Sequence, residues 1–506
     1  MLKKRMNFLA NIFFIPLLLI SLLGAAATLL NDVAEASKSG ILMMDILIVM
    51  LILLFLVRHK KPLFSINGKF SRYLRYFMLG AILFWQFYLL LNMSGFCFWD
   101  PGTIMLKAIG KASWVGKDYF SHNPNTFLLL LIEHSIWKGL GQPSLRILTV
   151  TLGLISYGLL DSSLLTLYWL GKKYLTQRVG KTAFVLGVVL LGIMPWAVIP
   201  YSDILAFALT VFSLATLISF FSSQSISTKY AYAALSGLLL GLDYLIKPSL
   251  VITYIAFAIV ALVSVSWHNL DKRLLGTVVV IVIIPLIMLL AFSAYQQHNS
   301  YVRIDQHKAL PMMHFAAMGA TGNGGYTLAD VERDEAIKDP GKRSAVATKV
   351  WEQRVIRMGW VGYQKFLIKK QVANTADGTF AWGGEGGFLK PFKNYPKSLG
   401  QRLFFAGGSP VVNSAVKILI QLVWLGTLLA MLLTVNDVHF IALLAKYAVV
   451  GFSLFLLLFE GGRSRYVIQF LPFILLLAGI GIQKIILMSR ALGRFKHRNI
   501  QYAKYH

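Results

Sequence analysis

The chain has 506 residues, of which 57% are hydrophobic and only 14% charged, and its formal net charge is +28. Because soluble proteins carry about 25% charged residues, this composition excludes an ordinary soluble domain. Apolar runs of about 20 residues recur from end to end, and each is long enough to cross ~30 Å of hydrocarbon. The sequence therefore predicts an all-α polytopic membrane protein.

Much of the positive charge lies in short loops and at the two ends of the chain, as positive-inside topology and anionic lipid headgroups require. No basic-aromatic recognition module accompanies this charge, so nucleic-acid binding is excluded and the lipid bilayer is the expected partner. The one cysteine, Cys97, cannot form an internal disulfide.

The N-terminal part predicts three spans, at 7–30, 40–57 and 74–92. The length of the first apolar run favours an uncleaved anchor over a cleaved signal peptide. The loop after the first span is mostly acidic, whereas the loop before the third is strongly basic and is therefore assigned to the cytoplasm. The third span then emerges on the outer surface just before Asp100.

The first large outer loop begins with Trp99-Asp100-Pro101-Gly102 and stays polar as far as Asn125. A carboxylate in this place is partly desolvated yet still accessible to a polar substrate, although an Asp-Pro pair often serves only to end a helix. The following run, 125–140, is too short and too polar to span a bilayer, which predicts a helix lying in the membrane interface.

Nine further spans bring the total to twelve, with both termini in the cytoplasm. They are placed at 145–170, 182–199, 203–221, 231–246, 248–266, 273–295, 411–434, 440–459 and 466–488. The predicted units are N-terminal helices (1–92), the first outer loop (93–144), a transmembrane core (145–295), an extracytoplasmic loop domain (296–410) and C-terminal helices with a basic cytoplasmic tail (411–506).

The segment 296–410 is the one long hydrophilic stretch, in which 16 Lys and Arg residues outnumber 9 Asp and Glu residues. Its glycines cluster at 319–325 and 383–387, a pattern that favours tight turns and close approach to a ligand over regular helix. Residues 330–366 have helical spacing, with an apolar stripe that we interpret as a packing face.

Loop charge alone assigns the unusual polar groups to the outer side. Deep charges would be typical of a transporter, whereas charges at the surface favour an outward-facing active site. Asp100 is the candidate general base. Arg463 and Arg465 could grip phosphate oxygens, and Lys247 could add a point charge. Further active-site candidates are Asp118, His122, Asn123, Asp203, Glu460 and Tyr466.

Structural roles stay open for several of these residues. Lys247 could only extend its amine to the interface, and Asp203 could only cap the next helix. Glu460 could only pair with a nearby arginine, and His122 could be an ordinary loop histidine. No metal-ligand spacing predicts a structural metal site, a requirement for a divalent cation is left open, and no cofactor is assigned.

These motifs resemble the GT-C superfamily of integral membrane glycosyltransferases, most closely its protein O-mannosyltransferase and aminoarabinose-transferase-like branch. That branch has an acid at the start of its first outer loop, as in Trp99-Asp100-Pro101-Gly102, and then an aromatic segment with prolines, as in 118–125. Late in the chain it has an acid, Arg-Tyr and a helical proline, as at Glu460, Arg465-Tyr466 and Pro472. Several members have a second acid where this chain has Pro101.

Other segments, among them Lys247-Pro248 and Tyr201-Ser202-Asp203, look similar to relatives in Gram-positive bacteria. The resemblance implies a GT-C-like fold and an undecaprenyl-phosphate-type sugar donor. Asp100 would activate an acceptor hydroxyl on a cell-envelope glycan such as teichoic acid, on a lipid or on a protein, at the outer face of the bacterial cytoplasmic membrane. Arg463, Arg465 and Lys247 would stabilise the departing phosphate.

The resemblance also implies that the loop domain closes over the substrates, with Trp351, Trp360 and Trp382 available to stack on sugar. Two other functions remain open on the sequence. One is a flippase or transporter for lipid-linked glycans, and the other is a non-catalytic protein that binds wall polymers.

Overall fold

The computed structural model describes residues 2–38, 69–112, 118–264, 272–393, 397–405 and 409–504. Within these ranges the chain is overwhelmingly helical, and the single sheet has two short strands. The predicted span 40–57 lies outside the described residues.

The N-terminal part ends in a group of short elements around the first polar loop. Its elements are α1 (Leu2–Lys38), α2 (Lys69–Met93), β1 (Gly95–Cys97), α3 (Asp100–Ala108), α4 (Tyr119–His122) and α5 (Phe127–Gly139). Helix α5 follows a 3-10 turn at Pro124–Thr126, so the helix predicted at 125–140 is present. Its place in the membrane interface stays a prediction.

The central helices pack side by side around a large apolar core. They are α6 (Leu145–Tyr174), α7 (Gln177–Gly187), α8 (Ser202–Ser222), α9 (Ile226–Ile246), α10 (Ile252–Ser264) and α11 (Lys272–His298). Helix α8 is buried along most of its length, because it is apolar all round and the neighbouring helices enclose it.

The hydrophilic segment folds as helices connected by tight turns. Its elements are α12 (Met312–Met318), α13 (Leu328–Ala336), α14 (Pro340–Thr375), α15 (Trp382–Glu385), β2 (Leu389–Pro391) and α16 (Leu399–Phe404). Helix α14 bends sharply at Gly359, whose φ of 61° interrupts the helical backbone. The side chains of Ile356 and Trp360 beside this bend are largely exposed.

Three helices complete the chain: α17 (Pro410–Leu432), α18 (Phe440–Leu458) and α19 (Leu471–Lys504). Their apolar side chains join the same core as the central helices. A 3-10 segment, Ser464–Phe470, leads directly into α19.

The described residues contain eight helices that are long and apolar enough to cross a membrane, one for each of eight predicted spans. The other three described spans are less regular than the sequence suggested. The run 182–199 is broken by a π-helical segment at Val188–Gly192 and a 3-10 turn at Pro195–Val198. Helix α9 covers the run 231–246 but is less apolar, and the described part of the run 248–266 forms a 3-10 turn followed by the short α10.

The helices converge on two separate polar ends. Helix α18 has 19 residues and is thus about 28 Å long, close to the thickness of the hydrocarbon layer. At its start, Lys446 donates to the backbone carbonyls of Thr434 and Asp437, and Lys484 pairs with Asp437. At its other end lies the loop that carries Glu460. The structure is therefore a polytopic helical bundle with one polar cluster at each end.

Candidate functional site

Asp100 is held at the start of a helix by a small sheet. Strand β1 pairs antiparallel with β2, with Cys97 opposite Leu389, and the chain then turns at Trp99 into α3. Gly102 lies so close to Cys97 that a Cβ would come within 1.9 Å of its carbonyl oxygen. The first helical turn places a carboxylate where the helix dipole favours negative charge.

Two tyrosines border the Asp100 carboxylate. The Tyr201 hydroxyl donates to Asp100 Oδ2 at 3.1 Å, and the buried Tyr119 approaches from α4. Burial, together with the nearby Asp100 charge, raises the pKa of both hydroxyls well above the usual value, so they remain donors. Asp100 itself is only half-buried, so its carboxylate is oriented by its neighbours yet still accessible.

Arg465 is the centre of the cluster. Its guanidinium lies over the Trp99 ring, with Cζ 4.0 Å from the ring centroid, and this contact links it to the residue beside Asp100. Its Nη1 donates to Glu385 Oε2 at 3.1 Å, and its Nε lies 3.5 Å from Asp203 Oδ2. The side chain is 4% exposed, and Nε has no hydrogen-bond partner, which leaves a buried donor available.

Asp203 and Lys247 extend the cluster toward the central helices. Lys247 lies between α9 and the following 3-10 turn, and its Nζ is 3.3 Å from Asp203 Oδ1. Asp203 is in the first turn of α8 but makes no capping hydrogen bond, so it serves as the shared partner of Lys247 and Arg465. The Lys247 amine also lies 5.3 Å from the centre of the Tyr466 ring.

Glu460 and Tyr466 form the far side of the cluster. The Tyr466 hydroxyl donates to Glu460 Oε1 at 3.0 Å. Burial raises the pKa of Glu460, although Tyr466 and the two arginines oppose the shift. The backbone of this loop is fixed by Lys370, whose amine donates to the carbonyls of Leu457 and Phe459.

Glu385 connects the two arginines. Its Oε1 accepts from Arg463 Nη1 at 2.9 Å, while its Oε2 accepts from Arg465. A turn built by Asp377 leads into α15, because the Asp377 carboxylate accepts from the backbone N–H groups of Thr379 and Ala381. Glu385 was missed at the sequence level, where only the glycines around it were noted.

The structure thus joins seven of the ten sequence candidates into one cluster: Asp100, Lys247, Asp203, Arg463, Arg465, Glu460 and Tyr466. It adds Glu385, Tyr201, Tyr119 and Trp99. Three of these additions had a sequence signal, since Trp99, Tyr119 and Tyr201 lie directly beside acids or turns already singled out.

The other three candidates have partners elsewhere. Asp118 forms an exposed ion pair with Lys308 at 2.7 Å, and His122 Nδ1 lies 2.8 Å from Glu335. Asn123 donates to the backbone carbonyl of Tyr119. The first two contacts connect the first polar loop to the hydrophilic segment, the third lies within the loop, and none of them reaches Asp100 directly.

One further expectation changes with the structure. Trp382 is buried and donates to the carbonyl of Phe404, so its ring faces the core and is not available to stack on a sugar. Within the described residues, no group of three or more His, Cys, Asp or Glu side chains could hold a metal ion.

The fold and the cluster define a polytopic α-helical membrane protein with an accessible carboxylate and a buried arginine-carboxylate network at one end of its helices. The chain belongs to a family described as conserved hypothetical integral membrane proteins, which it matches over residues 1–486. No curated protein matches the chain significantly.

Two similar solved structures are crystal structures of ArnT from Cupriavidus metallidurans. The apo form is 12% identical with a TM-score of 0.35, and the alignment covers 82% of this chain and 78% of that chain. The form bound to undecaprenyl phosphate is 13% identical with a TM-score of 0.32, and the coverage is 80% and 77%. TM-scores of this size do not establish a common fold, so the functional argument depends on the site.

Proposed function

We propose that this chain is a membrane glycosyltransferase that moves a sugar from a polyprenyl-phosphate donor to an acceptor hydroxyl. One observation carries the proposal: the Tyr201 side chain donates to the partly exposed Asp100 carboxylate, and its ring also lies beside the buried Arg465 guanidinium, with Arg465 Cζ 5.8 Å from the ring centroid. A base that could deprotonate the acceptor therefore lies near a cation that could bind a lipid phosphate. Both are at an end of the apolar helices, where the headgroup of a lipid donor would enter.

The chemistry follows from these positions. Asp100 takes the proton from the acceptor hydroxyl, while the oxygen of that hydroxyl forms a bond to the anomeric carbon of the donor sugar. The bond from that carbon to the phosphate oxygen breaks, and the electron pair leaves on the polyprenyl phosphate. Arg463, Arg465 and Lys247 stabilise this negative charge, an effect that is strong in a water-poor site.

The neighbouring groups orient the reacting ones. Tyr201 donates to Asp100 Oδ2 and Tyr119 approaches the same carboxylate, so the two tyrosines orient the base toward the acceptor. Asp203 holds Arg465 and Lys247 on either side of its carboxylate, so both cations face one anion site. The resemblance to GT-C enzymes supports an acceptor in the cell envelope, with the site at the outer face of the cytoplasmic membrane and residues 296–410 covering it.

The direct test is a transfer assay with the purified protein in detergent and a radiolabelled polyprenyl-phosphate sugar. Candidate acceptors are a wall glycan such as teichoic acid, a lipid and a protein fraction. The radiolabelled sugar should become attached to one of these acceptors in detergent solution, where no sealed membrane compartment is present. A glycan flippase would instead move label only across a closed vesicle, and a binding protein would retain the polymer without transferring sugar.

The biological acceptor is best found by comparing the cell-envelope glycans of a deletion strain with those of its parent. One sugar substituent should disappear, while the underlying polymer persists. Unchanged glycans together with a failed transfer assay would refute the proposed function.

A further inference from the structure

The Glu385 carboxylate bridges the two arginines of the cluster. Its two oxygens each accept from one arginine, so a single carboxylate spans Arg463 and Arg465. Both guanidinium groups donate to it through Nη1 alone, whereas a fully committed arginine–carboxylate pair uses two parallel hydrogen bonds. The geometry is that of one small anion shared between two cations.

The cations of the cluster already have carboxylate partners. Lys247, Arg463 and Arg465 contact the carboxylates of Asp203 and Glu385. A phosphate that reached Arg463 and Arg465 with Glu385 still in place would lie against the Glu385 carboxylate, and like charges in contact in a poorly solvated site repel strongly. Replacing the Glu385 carboxylate by the phosphate avoids this repulsion.

Glu385 is carried on a segment that can move. It is flanked by glycine pairs in Trp382-Gly383-Gly384-Glu385-Gly386-Gly387. The backbone of Gly383, Gly384 and Gly387 does not lie in the left-handed region, and a Cβ on any of them would meet no atom closer than 3.9 Å. The observed conformation therefore does not require glycine at these three positions. Flexible backbone on both sides of Glu385 accounts for them.

Fixed anchors border this segment at each side. Trp382 is held by its hydrogen bond to Phe404 and by its edge-on contact with Trp196. On the other side, Leu389 belongs to the strand that pairs with β1. The carbonyl of Phe388 is held too, by the N–H of Phe98, so a shift of this segment would be confined to the five residues 383–387.

Arg465 does not depend on Glu385 for its position. The Trp99 ring lies against one face of its guanidinium, and Asp203 lies 3.5 Å from its Nε. Departure of the Glu385 carboxylate would thus leave a preformed arginine site, with Nη1 released to donate to another anion.

We propose that Glu385 is a displaceable placeholder: its carboxylate holds Arg463 and Arg465 apart in the empty site, and the phosphate group of the lipid donor takes its place as residues 383–387 shift. The identity of the incoming anion rests on the proposed function. The placeholder prevents the buried Arg465 and the partly exposed Arg463 from facing each other without an anion between turnovers, and it also sets a threshold that weakly bound anions do not pass.

The first test measures equilibrium binding of undecaprenyl phosphate to the protein in nanodiscs of neutral lipid. Glu385→Gln removes the competing charge and should bind undecaprenyl phosphate about tenfold more tightly than wild type. Inorganic phosphate should gain affinity in the same direction, and undecaprenol should not. The control, Glu352→Gln, changes an exposed glutamate on α14 and should bind like wild type.

The second test does not alter the charge, so it remains informative if Glu385→Gln unfolds. The double substitution Gly383→Ala and Gly384→Ala fits the resting conformation and should lower the affinity for undecaprenyl phosphate about fivefold by restricting the shift. In the Glu385→Gln background the same double substitution should have much less effect, because residues in one mechanism are non-additive.

The outcomes separate this inference from the proposed function. If wild type binds undecaprenyl phosphate but neither variant changes the affinity, the placeholder is refuted and the donor site stands. If Glu385→Gln binds more weakly while folded, Glu385 is a structural clamp and the inference is also wrong. If no variant binds any phosphate, both the inference and the proposed function are refuted.

Discussion

Asp100 is distinguished from the other acids of the cluster by its accessibility. Asp203 and Glu385 are buried and paired with cations, whereas Asp100 is half-exposed and receives a hydrogen bond from a neutral tyrosine. A base must reach the proton that it removes, so accessibility matters as much as basicity. Asp100 is thus suited to act as a base, whereas Asp203 and Glu385 are suited to neutralise the buried cations.

Asp100→Asn should lower the rate of sugar transfer by 10²–10⁴-fold, the range for loss of a general base. Donor binding should persist, because the arginines have other partners. Transfer and binding are measured on the same preparation. The comparison variant is Asp118→Asn, whose exposed ion pair with Lys308 lies outside the cluster, and it should retain activity within about threefold. Full activity in folded Asp100→Asn would contradict the general-base role.

Single residues were predictable from the sequence where a charge interrupts an apolar pattern at a span end. Asp100, Asp203, Lys247 and Arg465 all stand out in this way. Glu385 does not, because an acid within a hydrophilic loop carries no such contrast. Its role depends on the fold, which brings a residue 80 positions away in the chain against Arg465.

At the scale of elements, the close contact between β1 and α3 determines where Asp100 lies. Gly102→Ala would place a methyl group 1.9 Å from the Cys97 carbonyl oxygen, so the strand and helix must separate. We expect a loss of about 3 kcal/mol in stability, in line with overpacking of a tight contact, together with a large loss of transfer. Thermal unfolding in detergent measures the first effect.

The matched control is Gly139→Ala near the end of α5. A Cβ there meets nothing within 4 Å, and the backbone is not left-handed. This variant should unfold at or slightly above the wild-type temperature, since alanine favours helix over glycine. Equal destabilisation by both substitutions would show that the Cys97 contact is not what limits position 102.

The helices of the hydrophilic segment are connected by an ion network around Asp330. Burial opposes its ionisation, but hydrogen bonds from Arg354 and Thr327 and the charge of Arg333 lower the pKa of Asp330 to about 2. Its folded-state pKa is thus below the unfolded value of 3.8, so it stabilises the fold above pH 4, and this stability is lost as the pH falls through 2. The contribution is about 2 kcal/mol.

Asp330→Asn should therefore destabilise residues 312–375 at neutral pH by about 2 kcal/mol and remove that part of the acid sensitivity. Hydrogen exchange of α12, α13 and α14 reports the effect locally. Protection of the transmembrane helices should not change. Wild-type protection of α13 in the variant would show that the network contributes no stability.

Hydropathy predicted the boundaries of elements correctly where a helix is continuous. It did not predict them where the helix is interrupted. The run 182–199 is apolar throughout, yet its backbone changes from α to π to 3-10 geometry near Pro195. Hydropathy reports burial and is insensitive to the hydrogen-bond pattern of the backbone. The predicted end of this span is thus the start of the turn that positions Tyr201.

On the scale of the whole molecule, the two polar ends are separated by the length of a span. Thr149 contacts Met105 in the helix that starts at Asp100, and Lys173 lies 24 residues further along α6, about 36 Å away. Because the basic residues concentrate at the Lys173 end, we expect the Asp100 end to face outward.

Labelling with a membrane-impermeant maleimide in intact cells measures this orientation. In a Cys97→Ala background, Tyr326→Cys lies in an exposed loop beside the cluster and should react from outside. Lys173→Cys, also exposed, should react only after permeabilisation. If both react from the same side, the assigned topology is wrong; if the two patterns are reversed, the site faces the cytoplasm and the proposed envelope acceptor must be abandoned.

The bend of α14 at Gly359 has a consequence for how the hydrophilic segment meets the lipid. Around it, Ile356, Trp360 and Val361 are 77%, 79% and 63% exposed, an unusual set for a surface in water. Trp is enriched at the headgroup layer, where an amphipathic ring is stable. We expect the residues around this bend to insert into the headgroup layer. The hydrophilic segment would then be anchored at the bilayer surface, and any movement of it would be largely parallel to the membrane plane.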